Sequence, residues 1–345
     1  MEKRTKILAI ALIVVGMLFT IFTFYFYQIY STPNILVDKD DAYIYVRKGL
    51  TFEEFRTDLY KNKVVHDLVS FGFVAKLLDL EGEMKPGRYH FKRNMTNPEA
   101  VRMLRSGEQK PLRVTFNNIR TTEELAEKLS GKLMLEKDEL LKLLEDENYV
   151  KEMGFSKETA GLMFIPNTYE LYWTVKADDL VKRMKKEYDK FWNESRKAKA
   201  AEIGLSPVEV AVLASIVEAE ASLSSEYPVV AGVYLNRMNR HMRLEADPTL
   251  VFAHGDFEIR RVLDKHKEID SPYNTYKYAG LPPGPIRLPA TNAIDAVLNH
   301  EKHNYIFFCA KEDFSGAHNF ASNLAEHSRN ARKYHRALNK ARIYK

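Results

Sequence analysis

The sequence holds a single cysteine, Cys309, among 345 residues. One thiol excludes an intramolecular disulfide and a thiolate metal cage, and with them the small disulfide-built scaffolds. Glycine (15) and proline (13) are too sparse for a collagen-like or low-complexity chain. No glycine-rich phosphate loop occurs. The charges nearly cancel, with Lys+Arg 52 against Asp+Glu 47 and a net of +5, so no strong field of one sign argues for nucleic acid. The basic run Arg329 to Lys333 reads as a solvated helix face. His300 and His303 are three apart, His318 and His327 nine apart, and none has a thiolate nearby. No metal and no cofactor are expected. Apolar residues, by contrast, are plentiful: 45% hydrophobic and 12% aromatic supply enough buried surface for real cores and exclude disorder.

Charge is also missing locally. After Lys6 the next charged residue is Asp38, and Ile7 to Tyr27 is a 21-residue run interrupted only by Gly16, Thr20 and Thr23. As a helix it spans roughly 31 Å, the thickness of a bilayer's hydrocarbon core. Phe24, Tyr25, Phe26, Tyr27 and Tyr30 gather at its distal end, as an interfacial belt does. Lys3, Arg4 and Lys6 precede it, and Asp38, Lys39, Asp40 and Asp41 follow. That asymmetry predicts a single-pass anchor with residues 1–6 in the cytosol, 7–27 in the membrane and the rest outside. A cleaved signal peptide would have a shorter apolar run ending in small residues. Against Glu2, the three basic residues of the tail hold +2 of the chain's +5, so part of the basicity is a topology signal.

Residues 28–38, with Ser31-Thr-Pro-Asn34, read as a tether. Ala42 to Arg47 alternates like a strand, and Thr51-Phe-Glu-Glu54 opens a helix with a Thr cap. The pattern recurs as a strand over Leu112–Phe116 and a helix from Thr121-Thr-Glu-Glu124. Between the copies, Lys85 to Phe91 reads as turn plus strand, and Asn97-Pro98-Glu99 starts a helix that ends near Gly107. Asp179 to Ala201 reads as one long polar helix. Tyr305 to Cys309 reads as an apolar strand with a buried thiol.

Ser206 to Ser222 is the most informative segment. Ser206, Pro207 and Glu209 specify a capping box, and Val208 to Val217 is apolar or small nearly throughout, as in a helix covered on most sides. Glu218 sits over Ser215, Ala214 and Ala211, small residues that would leave room for a ligand, in surroundings that favour a protonated carboxyl. It is the candidate general acid; pairing with Arg237 or Arg243 is the structural alternative. Glu220 lies about 200° round the helix, over Ile216 and Leu213, so the two carboxylates should not share a site.

Ala214-Ser-Ile-Val-Glu-Ala-Glu220 is followed in order by Val233-Tyr-Leu-Asn-Arg237, Arg243-Leu244, Asp247-Pro-Thr249, Tyr273-Asn-Thr-Tyr276 and Gly280-Leu-Pro-Pro-Gly-Pro-Ile286. With Phe164 to Glu170 upstream and His318-Asn-Phe320 and Glu326-His327 downstream, this set resembles the endolytic murein transglycosylase family (MltG, or YceG-like). The resemblance implies an α+β protein: a membrane helix, a small LysM-like mixed module over 39–108 and a larger α+β catalytic domain over 109–345. It implies a bacterial inner-membrane lyase that cuts nascent peptidoglycan glycan strands without water, leaving 1,6-anhydromuramyl ends. The motif's glutamate falls on Glu218. Asn236, Glu245, Asp247, Thr249, Tyr273, Asn274 and Tyr276 are the implied sugar-binding positions, and peptidoglycan synthases are the partners such an enzyme would work beside. Three positions depart from the pattern: Asn167 for Asp, Glu245 for Gln, and Arg287-Leu-Pro-Ala290 where Asn-Pro-Gly is usual. A wall-binding scaffold without activity, and a lysozyme-like hydrolase using Asp247 or Glu245 as second carboxylate, are the competing readings.

Overall fold

The structure, a computed structural model, describes residues 2–37, 41–259 and 261–341. The charged residues Asp38, Lys39 and Asp40 lie outside the described residues. The chain mixes helices with small sheets, and it forms two compact units: Met1–Arg113 with Glu170–Val175, and Val114–Tyr169 with Lys176–Lys345.

The first unit begins with α1 (Glu2–Ser31), which is long and apolar enough to cross a membrane and buries none of its apolar run. Then come β1 (Asp41–Val46), α2 (Phe52–Lys61), α3 (Leu68–Leu77), α4 (Leu80–Glu83), β2 (Gly87–Lys92) and α5 (Asn97–Ser106). β1 and β2 pair antiparallel, with Tyr43 opposite His90 and Tyr45 opposite Arg88. Thr51 closes the expected capping box with Glu54, and Thr96 closes another with Glu99. Phe55, Leu59, Phe71, Val74, Tyr89, Phe91 and Leu104 fill the core.

The expected tether is not one. Ile35 and Val37 are buried in this core, and Pro33 and Ile35 bridge to Thr96 and Val65. Asn34 is buried too, donating to Asn97 Oδ1 (2.7 Å) while its own oxygen accepts the Asp67 amide (2.7 Å). A run of Ser, Thr, Pro and Asn marks a break in regular structure. Whether the broken segment is free depends on the apolar residues that follow it.

The chain passes between units within β3 (Leu112–Phe116) and β4 (Asn167–Leu171), which form a two-stranded sheet. Asn167 is exposed at the start of β4. The second unit continues through α6 (Thr122–Ser130), α7 (Lys137–Glu145), α8 (Glu147–Glu152), α9 (Ala177–Phe191), α10 (Glu194–Glu202), α11 (Pro207–Glu220), α12 (Tyr227–Asn239), α13 (Asp247–His254), α14 (Thr291–Leu298), β5 (Phe307–Ala310), β6 (His318–Ala321) and α15 (Leu324–Lys340). The long polar helix expected over 179–201 is two helices. Trp192 is buried at the break, and Asn193 restarts the chain by accepting the Arg196 amide (3.0 Å). Cys309 lies in β5 but is half-buried rather than buried, and partial burial pushes its thiol up.

α11 is the centre of this unit. Its capping box forms as the sequence requires, Glu209 accepting the Ser206 amide at 2.8 Å. Every residue from Val210 to Val217 is buried, with α10, α12, α13 and α14 packed around it. A helix apolar on all faces has nowhere else to go. On α12, Gly232 lets the segment after α14 come close, since a Cβ there would lie 2.5 Å from the Glu301 carbonyl.

Candidate active site

The last turn of α11 carries two glutamates in unlike surroundings. Glu218 faces the turn that leads into α14. Its Oε2 accepts the Ala290 amide at 2.8 Å, and its Oε1 lies 3.4 Å from Arg287 Nη2. The carboxylate is only 14% exposed. The small face beneath it, expected to admit a ligand, is filled by the protein: the Ile286 amide donates to Ser215 Oγ at 3.1 Å, and Ser215 is fully buried. In the same turn Gly284 passes close to the Glu158 carbonyl, where a Cβ would lie 2.5 Å away. The structural alternative of an arginine partner therefore holds for Glu218, but with Arg287 rather than Arg237 or Arg243.

Glu220 faces a cleft of about 1010 Å³, lined also by Asp247, Pro248, Phe252, Phe257, Arg120 and Arg287. Tyr234, buried on α12, donates to Glu220 Oε1 at 3.0 Å. The Asp247 amide, at the start of α13, also donates to the Glu220 carboxyl. Burial first and the negative charge of Asp247 second raise this carboxyl, the Tyr234 and Asp247 donors and the Arg237 guanidinium pull the other way, and the net is about 7. A carboxyl poised near neutrality on a cleft wall is what general acid–base work needs. Asp247 in turn accepts the Tyr276 hydroxyl at 2.6 Å, and burial with that contact raises the phenol.

The positions singled out for sugar binding separate into two groups. Asp247 and Tyr276 join Glu220. Tyr273 stacks against Phe252 (ring centroids 4.7 Å) and lines a smaller neighbouring pocket with Arg120 and Arg287; burial pushes its phenol up to about 12. The others hold the scaffold. Asn236 donates to the His303 and Tyr305 carbonyls, at 2.7 and 3.0 Å. Thr249 is buried, bonded to the Ala246 carbonyl (2.7 Å) and to Thr275 Oγ1 (2.8 Å). Asn274 is buried and ties the Lys267 and Ile269 carbonyls (2.9 and 2.8 Å). Glu245 pairs with Arg237 (3.0 Å). These four make contacts that hold the scaffold together.

The sequence reading set Glu220 apart from Glu218 by helix angle, and the structure gives the two carboxyls separate partners. Large apolar neighbours at Ile216 and Leu213 desolvate a carboxyl more effectively than alanines, whose small size invites another segment of chain.

Residues 44–333 match the YceG-like family. The chain is 28% identical to an endolytic murein transglycosylase of Bacillus subtilis, over 86% of this chain and 87% of that protein. It is 27% identical to one of Streptococcus pneumoniae, over 84% of this chain but 57% of that longer protein. A crystal structure of a YceG-like protein from Listeria monocytogenes superposes with a TM-score of 0.57 at 27% identity, covering 85% of this chain and 99% of that one. With most of its length matched, its central helix and cleft in the same span, the chain belongs to the YceG-like family.

Proposed function

We propose that this chain is a membrane-anchored endolytic lytic transglycosylase that cuts peptidoglycan glycan strands and ends their elongation, with Glu220 as its general acid and base. The observation that carries the reading is Glu220 itself, at the wall of the large cleft, raised by burial and held by Tyr234. The protonated carboxyl gives its proton to the glycosidic oxygen as the bond to the muramyl anomeric carbon breaks. The resulting carboxylate, stabilised by the Tyr234 hydroxyl and the Asp247 amide, then takes the proton of the muramyl C6 hydroxyl as that oxygen bonds to the anomeric carbon. One proton leaves Glu220 and one returns, so no water and no second nucleophile are consumed. In this reading Glu218, on which the family motif's glutamate falls, fixes the Arg287–Ala290 turn, and Glu218→Gln set beside Glu220→Gln tests the assignment.

The anchor is α1, with the basic tail inside and both units outside, beside the synthases that extend the strands. The order of β1, α2, α3 and β2 around an antiparallel pair supports the LysM-like reading of the first unit. A second reading, hydrolysis, is favoured by one observation: Asp247 is a second carboxylate next to Glu220. Incubating purified full-length protein with isolated glycan strands and weighing the new ends decides between them. Anhydromuramyl ends are expected. Ends heavier by one water would make the protein a hydrolase, and no new ends at all would leave it a scaffold.

A further inference from the structure

α3 is a short apolar helix with only one face in the core. Ser70, Phe71, Val74 and Ala75 are buried, while Val69, Phe73 and Leu77 point outward at 83%, 47% and 53% exposure. The outward residues are four apart, so they form one stripe along the helix. Lys76, also exposed, flanks it. A continuous apolar stripe left in water is costly and marks a surface with a partner.

Its position indicates that partner. α3 and α5 both pack against α1. The Asn97 side-chain amide donates to the Ile29 carbonyl of α1 (3.0 Å) and to Ser70 Oγ of α3 (3.2 Å), and Arg102 donates to the Tyr30 hydroxyl (2.8 Å). Ile29 is two residues beyond Tyr27, so the attachment lies about 3 Å past the end of the apolar run. The interfacial layer on each side of a bilayer is roughly 5–7 Å deep, and surface helices sink about 5–10 Å into it. The start of α3 is therefore held within the layer where α1 emerges, and no flexible tether separates them.

We propose that the Val69–Phe73–Leu77 stripe beds in the lipid–water interface around α1, with Lys76 reaching the phosphates, so that the first unit lies on the membrane instead of swinging above it. The inference rests on α1 crossing the bilayer. It is tested on the full-length chain in phospholipid vesicles, with Cys309→Ser removing the native thiol and single nitroxide labels at Val69→Cys and Phe73→Cys. Reference labels go at Phe19→Cys in α1 and at Tyr60→Cys, an exposed position of α2. The ratio of collisions with oxygen to collisions with an aqueous nickel chelate is expected to be several-fold higher at 69 and 73 than at 60. Val69 is so exposed that its substitution leaves packing intact, which guards against misfolding at 73. A ratio at 69 and 73 equal to that at 60, with position 19 in lipid, overturns the proposal alone. An aqueous reading at 19 removes the membrane span and the proposal with it. Labels that are wet in lipid and dry only after a membrane protein extract is added would make the partner a protein, and would also overturn it.

Discussion

Glu218 and Glu220 stand two residues apart on α11, yet the helix turns them to opposite fates. Glu218 meets a guanidinium and an amide N–H, partners that satisfy a charged carboxylate and keep it in place. Glu220 meets a buried tyrosine, a second carboxylate and apolar walls, which favour a carboxyl that holds its proton until something takes it. The difference teaches that one face of a buried helix can be closed by the protein's own chain while another borders a cleft. Around Glu218 the protein supplies every partner; around Glu220 it leaves a cleft.

The comparison can be broken at several points. Glu220→Gln keeps the shape and removes the proton, and release of anhydromuramyl ends is expected to fall by about 10²–10⁴-fold. The same variant should not lose stability. Folded Glu220 keeps its proton up to about 7, whereas a free glutamate loses it near 4.5. The folded state therefore binds more protons between those values, and stability drops as pH rises through that window. At pH 8 the glutamine variant escapes that cost, so its melting temperature there should equal or exceed the parent's. Glu218→Gln should do the reverse, retaining activity within about tenfold while costing roughly 1–3 kcal/mol in denaturant unfolding, because Arg287 loses its charged partner in a partly buried place.

Smaller effects sharpen the picture on the cleft side. The parent's activity should decline as pH rises through about 7, where Glu220 loses its proton. Asp247→Asn removes the second cause of that elevation and leaves burial, the first, so the basic limb of the pH–rate profile should move to lower pH without reaching the ordinary glutamate range. Tyr234→Phe removes a donor to the ionised form and should move the limb upward, by less than about one pH unit.

Much of this was legible in the residues. Thr51, Thr121 and Ser206 each start a helix where the cap rule puts it, and the all-apolar run after Pro207 predicted a central buried helix. The ordered motifs identified the family. What failed were inferences that depend on distant segments. The break at Trp192–Asn193 is set by a buried indole that polar neighbours conceal. Asn34, at the end of the Ser31–Asn34 stretch, is drawn into the core with Ile35 and Val37 by hydrogen bonds to Asn97 and Asp67. The vacancy inferred over Ala211, Ala214 and Ser215 is occupied by the Gly280–Ile286 turn, more than sixty residues onward, and no spacing rule on α11 could report it. Spacing along one helix tells which side chains share a face; it does not tell what covers that face.

The central claim is that the proton for catalysis resides on Glu220. Difference infrared spectroscopy of the protonated carboxyl stretch, followed from acid to alkaline pH in the full-length protein and in the two glutamine variants, tests it most directly. A carboxyl that titrates at about 7, persists in Glu218→Gln and vanishes in Glu220→Gln is the predicted result. A neutral-range carboxyl that vanishes in Glu218→Gln and survives in Glu220→Gln would contradict the account and return the acid to Glu218.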